Sequence, residues 1–332
     1  MMGHDWRRAA AVVGFFALVL ILAAAAFAFD VRLASSQAVQ LVANRTDEPV
    51  PLTDAYASVW DRASPVTVPL TAQRQALPFG GGSVAQVTAR AMHDDQRLYI
   101  LVEWKDATQN TSVAGEEAFR DAVAIEFPMV AGDTVPPFCM GQADGQVNIW
   151  HWKGDWQAMV DAGRSPFAPS NYVDDYALGD DPLFQNPAEA AGNVYATRDV
   201  RTPVENVLAG GFGTLTSADR QPVDGVGRWR DGRWRVLFAR DLADDGETGV
   251  DLSNATSTNV AFAVWDGAKE DRNGQKSVST FVGLELSSSP LGDAPSGVRR
   301  GAIIAIIVVG VFGGTAAVLS TLYLRGRLGK AS

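Results

Sequence analysis

The chain has 332 residues, with 28 Lys or Arg against 38 Asp or Glu, three His and one Cys. A net charge of −10 excludes nucleic acid or an anionic lipid face as a primary partner, because phosphate is bound by basic surfaces. The single Cys139 excludes an internal disulfide framework and an iron–sulfur cluster held by this chain alone. With His4 in a terminal tail, a three-His zinc site is excluded too.

Residues 9–29 form an apolar run without charge or Pro. At 1.5 Å per residue such a run reaches roughly 30 Å, enough to cross a hydrocarbon core. Arg7 and Arg8 precede it and mark its start as cytoplasmic. It also fits a secretory signal, with Ala26-Phe27-Ala28 as the cleavage site. Residues 30–58 read as a linker. The weight of the chain lies in 59–287, one domain. A Ser/Pro/Gly stalk follows at 288–300, then a second apolar run at 301–324 and a basic tail at 325–332 holding Arg325, Arg327 and Lys330. Both termini are therefore expected inside and the domain outside the cytoplasm, at the cell membrane. Two basic residues and one acid precede residues 30–298, and five basic residues follow them. That leaves 21 basic against 37 acidic residues, or −16.

Within the domain, short runs rich in β-branched and aromatic residues recur with a period near two, at 66–70, 83–91, 97–104, 122–127, 147–152, 233–240, 259–265 and 277–286. Turn-forming clusters separate them. The pattern predicts a mainly β fold: an antiparallel two-sheet sandwich with a long loop-rich insertion at 155–230, flanked by two transmembrane helices. In the insertion, Thr202-Pro203 followed by Glu205 has the form of a capping box and predicts a helix over 202–209, and a shorter one starts at 188–191. Trp104, Trp150, Trp152, Trp234 and Trp265 all fall on strands, where core packing is the plain explanation.

No nucleophile elbow, phosphate loop or zinc motif occurs. Two loops stand out. One, at 136–152, delivers Met140 beside Gly141 ahead of an aromatic strand. The other, at 263–279, delivers Lys276 at the start of a strand. Taken singly, a Met at a loop end packs and a Lys is solvated. His151 alternates with Trp150 and Trp152 and so faces away from whatever those two line.

Taken in order, these segments resemble a known family. Trp104-Lys105-Asp106, Phe127-Pro128, Phe138-Cys139-Met140-Gly141, Ile149-Trp150-His151-Trp152, residues 206–214, residues 232–236, Ala263-Val264-Trp265-Asp266-Gly267 and residues 275–279 are similar to the haem b-binding gamma subunits of ethylbenzene dehydrogenase, dimethylsulfide dehydrogenase and related molybdenum enzymes. The resemblance runs from about Trp60 to Leu286 and implies a β-sandwich around one haem b. It implies Met140 and Lys276 as axial ligands of the iron, with Trp150, Trp152 and Trp265 walling the haem slot. A thioether is a neutral ligand that raises the potential of haem iron, and an amine binds only uncharged. The implied partners are a molybdopterin catalytic subunit, an iron–sulfur subunit and a quinol-side membrane carrier, the chain itself being non-catalytic. The C-terminal apolar run departs from soluble periplasmic members, adds the lipid bilayer as a partner, and resembles outward-facing respiratory nitrate reductases of haloarchaea. A carbohydrate-binding β-sandwich without haem, using exposed Trp for sugar stacking, is the alternative from another class.

Overall fold

Strands, most of them buried along nearly their whole length, dominate the computed structural model, which describes residues 39–129, 135–136, 140–166 and 202–291. Fourteen strands run in chain order among the described residues. They are β1 (Gln40–Arg45), β2 (Val66–Pro69), β3 (Thr71–Ala72), β4 (Gln86–His93), β5 (Arg97–Lys105), β6 (Ala122–Pro128), β7 (Val147–Lys153), β8 (Val204–Ala209), β9 (Thr216–Ser217), β10 (Asp224–Arg230), β11 (Arg233–Asp241), β12 (Ser257–Trp265), β13 (Ser277–Val278) and β14 (Val282–Pro290). One helix, α1 (Gly154–Asp161), follows β7 directly.

The strands lie in the order β10-β11-β5-β4-β1-β14-β12-β6-β7-β8-β9, with β2, β3 and β13 off this path. The sheet is mixed rather than purely antiparallel, because β1 is parallel to both neighbours, β4 and β14. The stretch read as a linker thus supplies a strand in the middle of the order. Strand β12 pairs β14 through its first half and β6 through its second, so it joins the two halves of the sheet.

The helix expected at 202–209 is a strand. Val204–Ala209 pairs with β7 from Val147 to Trp152, and Thr202 Oγ1 donates to Val223 O at 2.6 Å instead of leading a helix. A full ladder on a buried neighbour outweighs a local capping signal worth about 1 kcal/mol. The segment at 188–191 and both apolar runs lie outside the described residues. Among the described residues, no helix is long and apolar enough to cross a membrane.

The main core gathers one face of β4, β5 and β11 with one face of β6, β7 and β12. Trp104 and Trp234, a cross-strand pair of β5 and β11, stack at 6.1 Å, and Trp152 of β7 meets Trp234 edge-on at 4.9 Å. Four large rings (Trp104, Trp150, Trp152 and Trp234) are each no more than 2 % exposed, so they carry the packing and are unavailable for sugar stacking. Helix α1 closes this core. Gln157 Oε1 accepts from both Trp152 Nε1 and the Gly227 N–H, satisfying two buried donors.

Candidate functional site

The opposite face of β6, β7 and β12 has different chemistry. Register aligns three rows across it. Trp265, Ala122 and Lys153 form one, Ala263, Ala124, His151 and Glu205 the next, and Ala261, Glu126, Ile149 and Val207 the third. Four of these positions are Ala. On a pleated sheet, alanines flanked by larger side chains leave a flat floor with open space above it. That space is a cavity of about 760 Å³, within the range of small-molecule and cofactor sites, roughly 300–1,000 Å³.

Met140 and Lys276 both line this cavity, although 136 residues of sequence separate them. Met140 has φ +74°, the left-handed region, which a side chain like Met adopts at a cost of order 1–3 kcal/mol. Two contacts hold it there. Its N–H donates to Glu126 Oε2 at 3.3 Å, and its carbonyl accepts from the Gly211 N–H at 2.6 Å. Gly141 follows at φ +68°, where a Cβ would lie 2.5 Å from the Gly145 carbonyl oxygen. The turn is thus built so that one sulfur-bearing side chain is presented to the cavity.

Lys276 is fixed from its backbone. Its carbonyl accepts from the Gln73 N–H at 3.0 Å, and Gly81 packs so close to it that a Cβ would meet the Lys276 carbonyl at 2.1 Å. The side chain is 8 % exposed, with Nζ 5.0 Å from the centroid of Trp265. Trp265 therefore walls the cavity. Trp150 and Trp152, expected to do the same, do not: alternation turns both into the main core, and the cavity is lined instead by the alanines, Ile149 and Trp265.

The same alternation brings His151 into the cavity. Its ring stacks on Trp265 at 4.8 Å and 28°, and its Nε2 is shielded from solvent with no hydrogen-bond partner. Burial holds its pKa well below the usual imidazole range, and the nearby Lys153, Arg120 and Lys276 push the same way, so the ring is neutral at pH 7. At one edge, Lys153 Nζ bonds Glu205, which also receives Ser217 Oγ. Burial lowers the Lys153 pKa and Glu205 offsets part of that. Arg120 and Arg272 add cationic groups to the lining.

Met140, Lys276 and Trp265, singled out from the sequence, all line the cavity, whereas the alanine floor and the Lys153–Glu205 pair were not anticipated. The signal for the floor was present as small residues at alternate positions of two strands, 122 and 124 on one, 261 and 263 on the other. The pair had no local signal, since its members lie 52 residues apart.

Comparison with known proteins places these features in a context. The sequence profile described as "Ethylbenzene dehydrogenase" matches residues 57–277. A Haloferax mediterranei chain assigned as a respiratory nitrate reductase heme subunit is 26 % identical over 237 residues, 71 % of this chain and 69 % of that one. The chlorate reductase gamma subunit of Ideonella dechloratans is 27 % identical over 226 residues, covering 67 % and 74 %. The dimethylsulfide dehydrogenase gamma subunit of Rhodovulum sulfidophilum is 31 % identical over 191 residues, 55 % of this chain and 54 % of that one. Among solved structures, a family 9 carbohydrate-binding module of Caldicellulosiruptor kristjanssonii bound to glucose overlaps 77 % of this chain and 99 % of its own, at 11 % identity and a TM-score of 0.36.

Proposed function

This chain belongs to the ethylbenzene dehydrogenase family, and on that premise we propose that it is the haem b electron-transfer subunit of a molybdenum oxidoreductase complex, itself non-catalytic. One observation carries the reading. A thioether and a primary amine, from loops far apart in sequence, line one flat-floored cavity. The fit rests on this chain's own residues. The alanine floor leaves room for a planar ring, Ile149 and Trp265 give it apolar surface, and Arg120, Arg272 and Lys153 suit acidic substituents at an edge. Met140 and Lys276 would hold the iron. Haem b would supply a one-electron couple, with Met ligation biasing it toward high potential.

The protein's part is to keep both ligands in place and water out. The left-handed turn fixes Met140, and the Gly81 contact fixes Lys276. The amine ligates only in its uncharged form, and binding to the iron would itself favour that form. By analogy with the relatives, the partners are a molybdopterin-bearing subunit and an iron–sulfur subunit. The apolar runs at 9–29 and 301–324 would tether the complex to the outer face of the membrane, within reach of a quinol-side carrier.

The unpartnered His151 Nε2 in the same cavity supports a second ligand assignment, in which His151 replaces one of the two. Haem content and the Soret band of the purified full-length chain test the reading. Wild type should carry one haem. Met140→Ala and Lys276→Ala should each shift the ligand-sensitive bands, and His151→Ala should leave them nearly intact. A spectrum altered only by His151→Ala would establish the second assignment instead, and a colourless protein would refute both.

A further inference from the structure

Outside the cavity, three carboxylates converge where β5 ends, β6 begins and β12 ends. Asp106, Asp121 and Asp266 each offer an oxygen, and these oxygens lie within 4.8 Å of one another. Asp106 and Asp121 are buried, at 4 % and 0 % exposure, and Asp266 is half-buried. Among the described residues, no Lys or Arg forms an ion pair with any of them. Asp121 is well served by donors: Asn110 N–H at 2.7 Å and Trp234 Nε1 at 3.0 Å on Oδ2, and Gly267 N–H at 2.9 Å on Oδ1. Asp106 Oδ1 takes the Thr108 N–H and hydroxyl. Asp106 Oδ2 and Asp266 Oδ1, however, are shielded from solvent and have no partner. Unpaired buried carboxylate oxygens are costly, and three like charges at this distance compound the cost.

We propose that Asp106, Asp121 and Asp266 bind a divalent cation of the calcium class. The ligand set is all oxygen, which suits a hard cation and disfavours zinc or copper. Calcium is favoured over magnesium because it accepts an irregular shell of carboxylate oxygens, while magnesium demands near-ideal octahedral geometry and keeps several waters. The two orphaned oxygens would become ligands, and the remaining lone pairs of Asp121 would add a third without losing its hydrogen bonds.

The site's place in the fold gives it a task. Asp121 follows Phe119 and Arg120, and Asp266 follows Trp265, all of which line the cavity. The two loops are already pressed together, since a Cβ on Gly267 would lie 2.1 Å from the Phe119 carbonyl oxygen. A cation here would clamp one rim of the cavity without touching whatever the cavity holds, so the proposal stands apart from the haem reading.

The test uses the purified full-length chain with calcium alone as the probe. After chelation and dialysis, added calcium should bind with one-to-one stoichiometry and raise the melting temperature by several degrees. Magnesium at the same concentration should give little shift. Asp106→Asn and Asp266→Asn should each abolish the calcium-dependent shift while leaving a folded protein. Terbium in place of calcium should give luminescence sensitised by Trp234, lost in both variants. No calcium uptake by the wild type, or an equal shift with magnesium, would overturn the assignment. So would an Asp106→Asn protein that melts higher than wild type both with and without calcium, the signature of acids that share a proton instead of a metal.

Discussion

Strands β6, β7 and β12 present two faces of opposite design. Toward the core they offer Val123, Ile125, Phe127, Trp150, Trp152 and Val264, large and fully buried. Toward the cavity they offer the small or polar Ala122, Ala124, Glu126, His151, Lys153 and Ala263, with Trp265 as the one large ring at the end of β12. A period of two fills the first face to native density and leaves the second unfilled. The same backbone thus builds stability on one side and a chemically furnished slot on the other. Substitutions on the two faces should consequently fail in different ways.

The largest effect is expected on the core face. Trp152→Ala removes a ring packed against Trp104 and Trp234 and one of the two donors to Gln157 Oε1, so urea unfolding should show a loss of about 3–5 kcal/mol. On the cavity face, Ala124→Phe should change stability by no more than about 1 kcal/mol, since it extends into open space, yet it should abolish haem loading in reconstitution assays. If Ala124→Phe unfolds the protein while still loading haem, the division between the faces is wrong.

Titration gives a third probe. Burial, with Asp106 nearby, raises the Asp121 pKa to about 7. A folded carboxyl that holds its proton more tightly than the unfolded chain stabilises the fold fully below about pH 3.9. That contribution is lost as pH rises through about 7. Metal-free protein should therefore lose stability between about pH 4 and 7 through this group, and Asp121→Asn should flatten that part of the profile. Calcium should oppose the loss, because it competes with the proton. A profile unchanged by Asp121→Asn would place the proton elsewhere. The smallest effect belongs to the outer surface, away from both faces. Breaking the exposed Arg228–Asp161 pair, 3.3 Å apart, with Arg228→Ala should cost less than about 1 kcal/mol and leave cofactor content untouched.

Strand-length runs of β-branched and aromatic residues bounded by turn chemistry made β2, β5, β6, β7, β11 and β12 legible in the sequence. Strand β10 was hidden by its glycines. Gly227 sits where a Cβ would come within 2.2 Å of the Trp152 ring, and Gly225 where one would press on Val204 at 2.4 Å, so packing demands the residues that weaken a strand pattern. Strand β8 was hidden behind a capping signal, and β1 by its parallel neighbours, which leave no hairpin to read. At the site, alternation correctly set His151 opposite Trp150 and Trp152. Periodicity distinguishes two faces but does not say which one meets the core, so His151 was turned away from the slot and the two Trp toward it. Met140 and Lys276 were visible only through their resemblance to a family motif. Nothing local distinguishes them from a packed Met and a solvated Lys. The three acids near Phe119 and Trp265 gave no signal, since β5, β6 and β12 bring them together only in the fold.

The axial ligands of the haem decide the central claim. Near-infrared magnetic circular dichroism of the oxidised full-length chain reads the ligand pair directly. Wild type should show thioether-plus-amine ligation. The thioether signature should vanish in Met140→Ala and the amine signature in Lys276→Ala. An imidazole signature in the wild type, lost on His151→Ala and unchanged by the other two substitutions, would contradict the account.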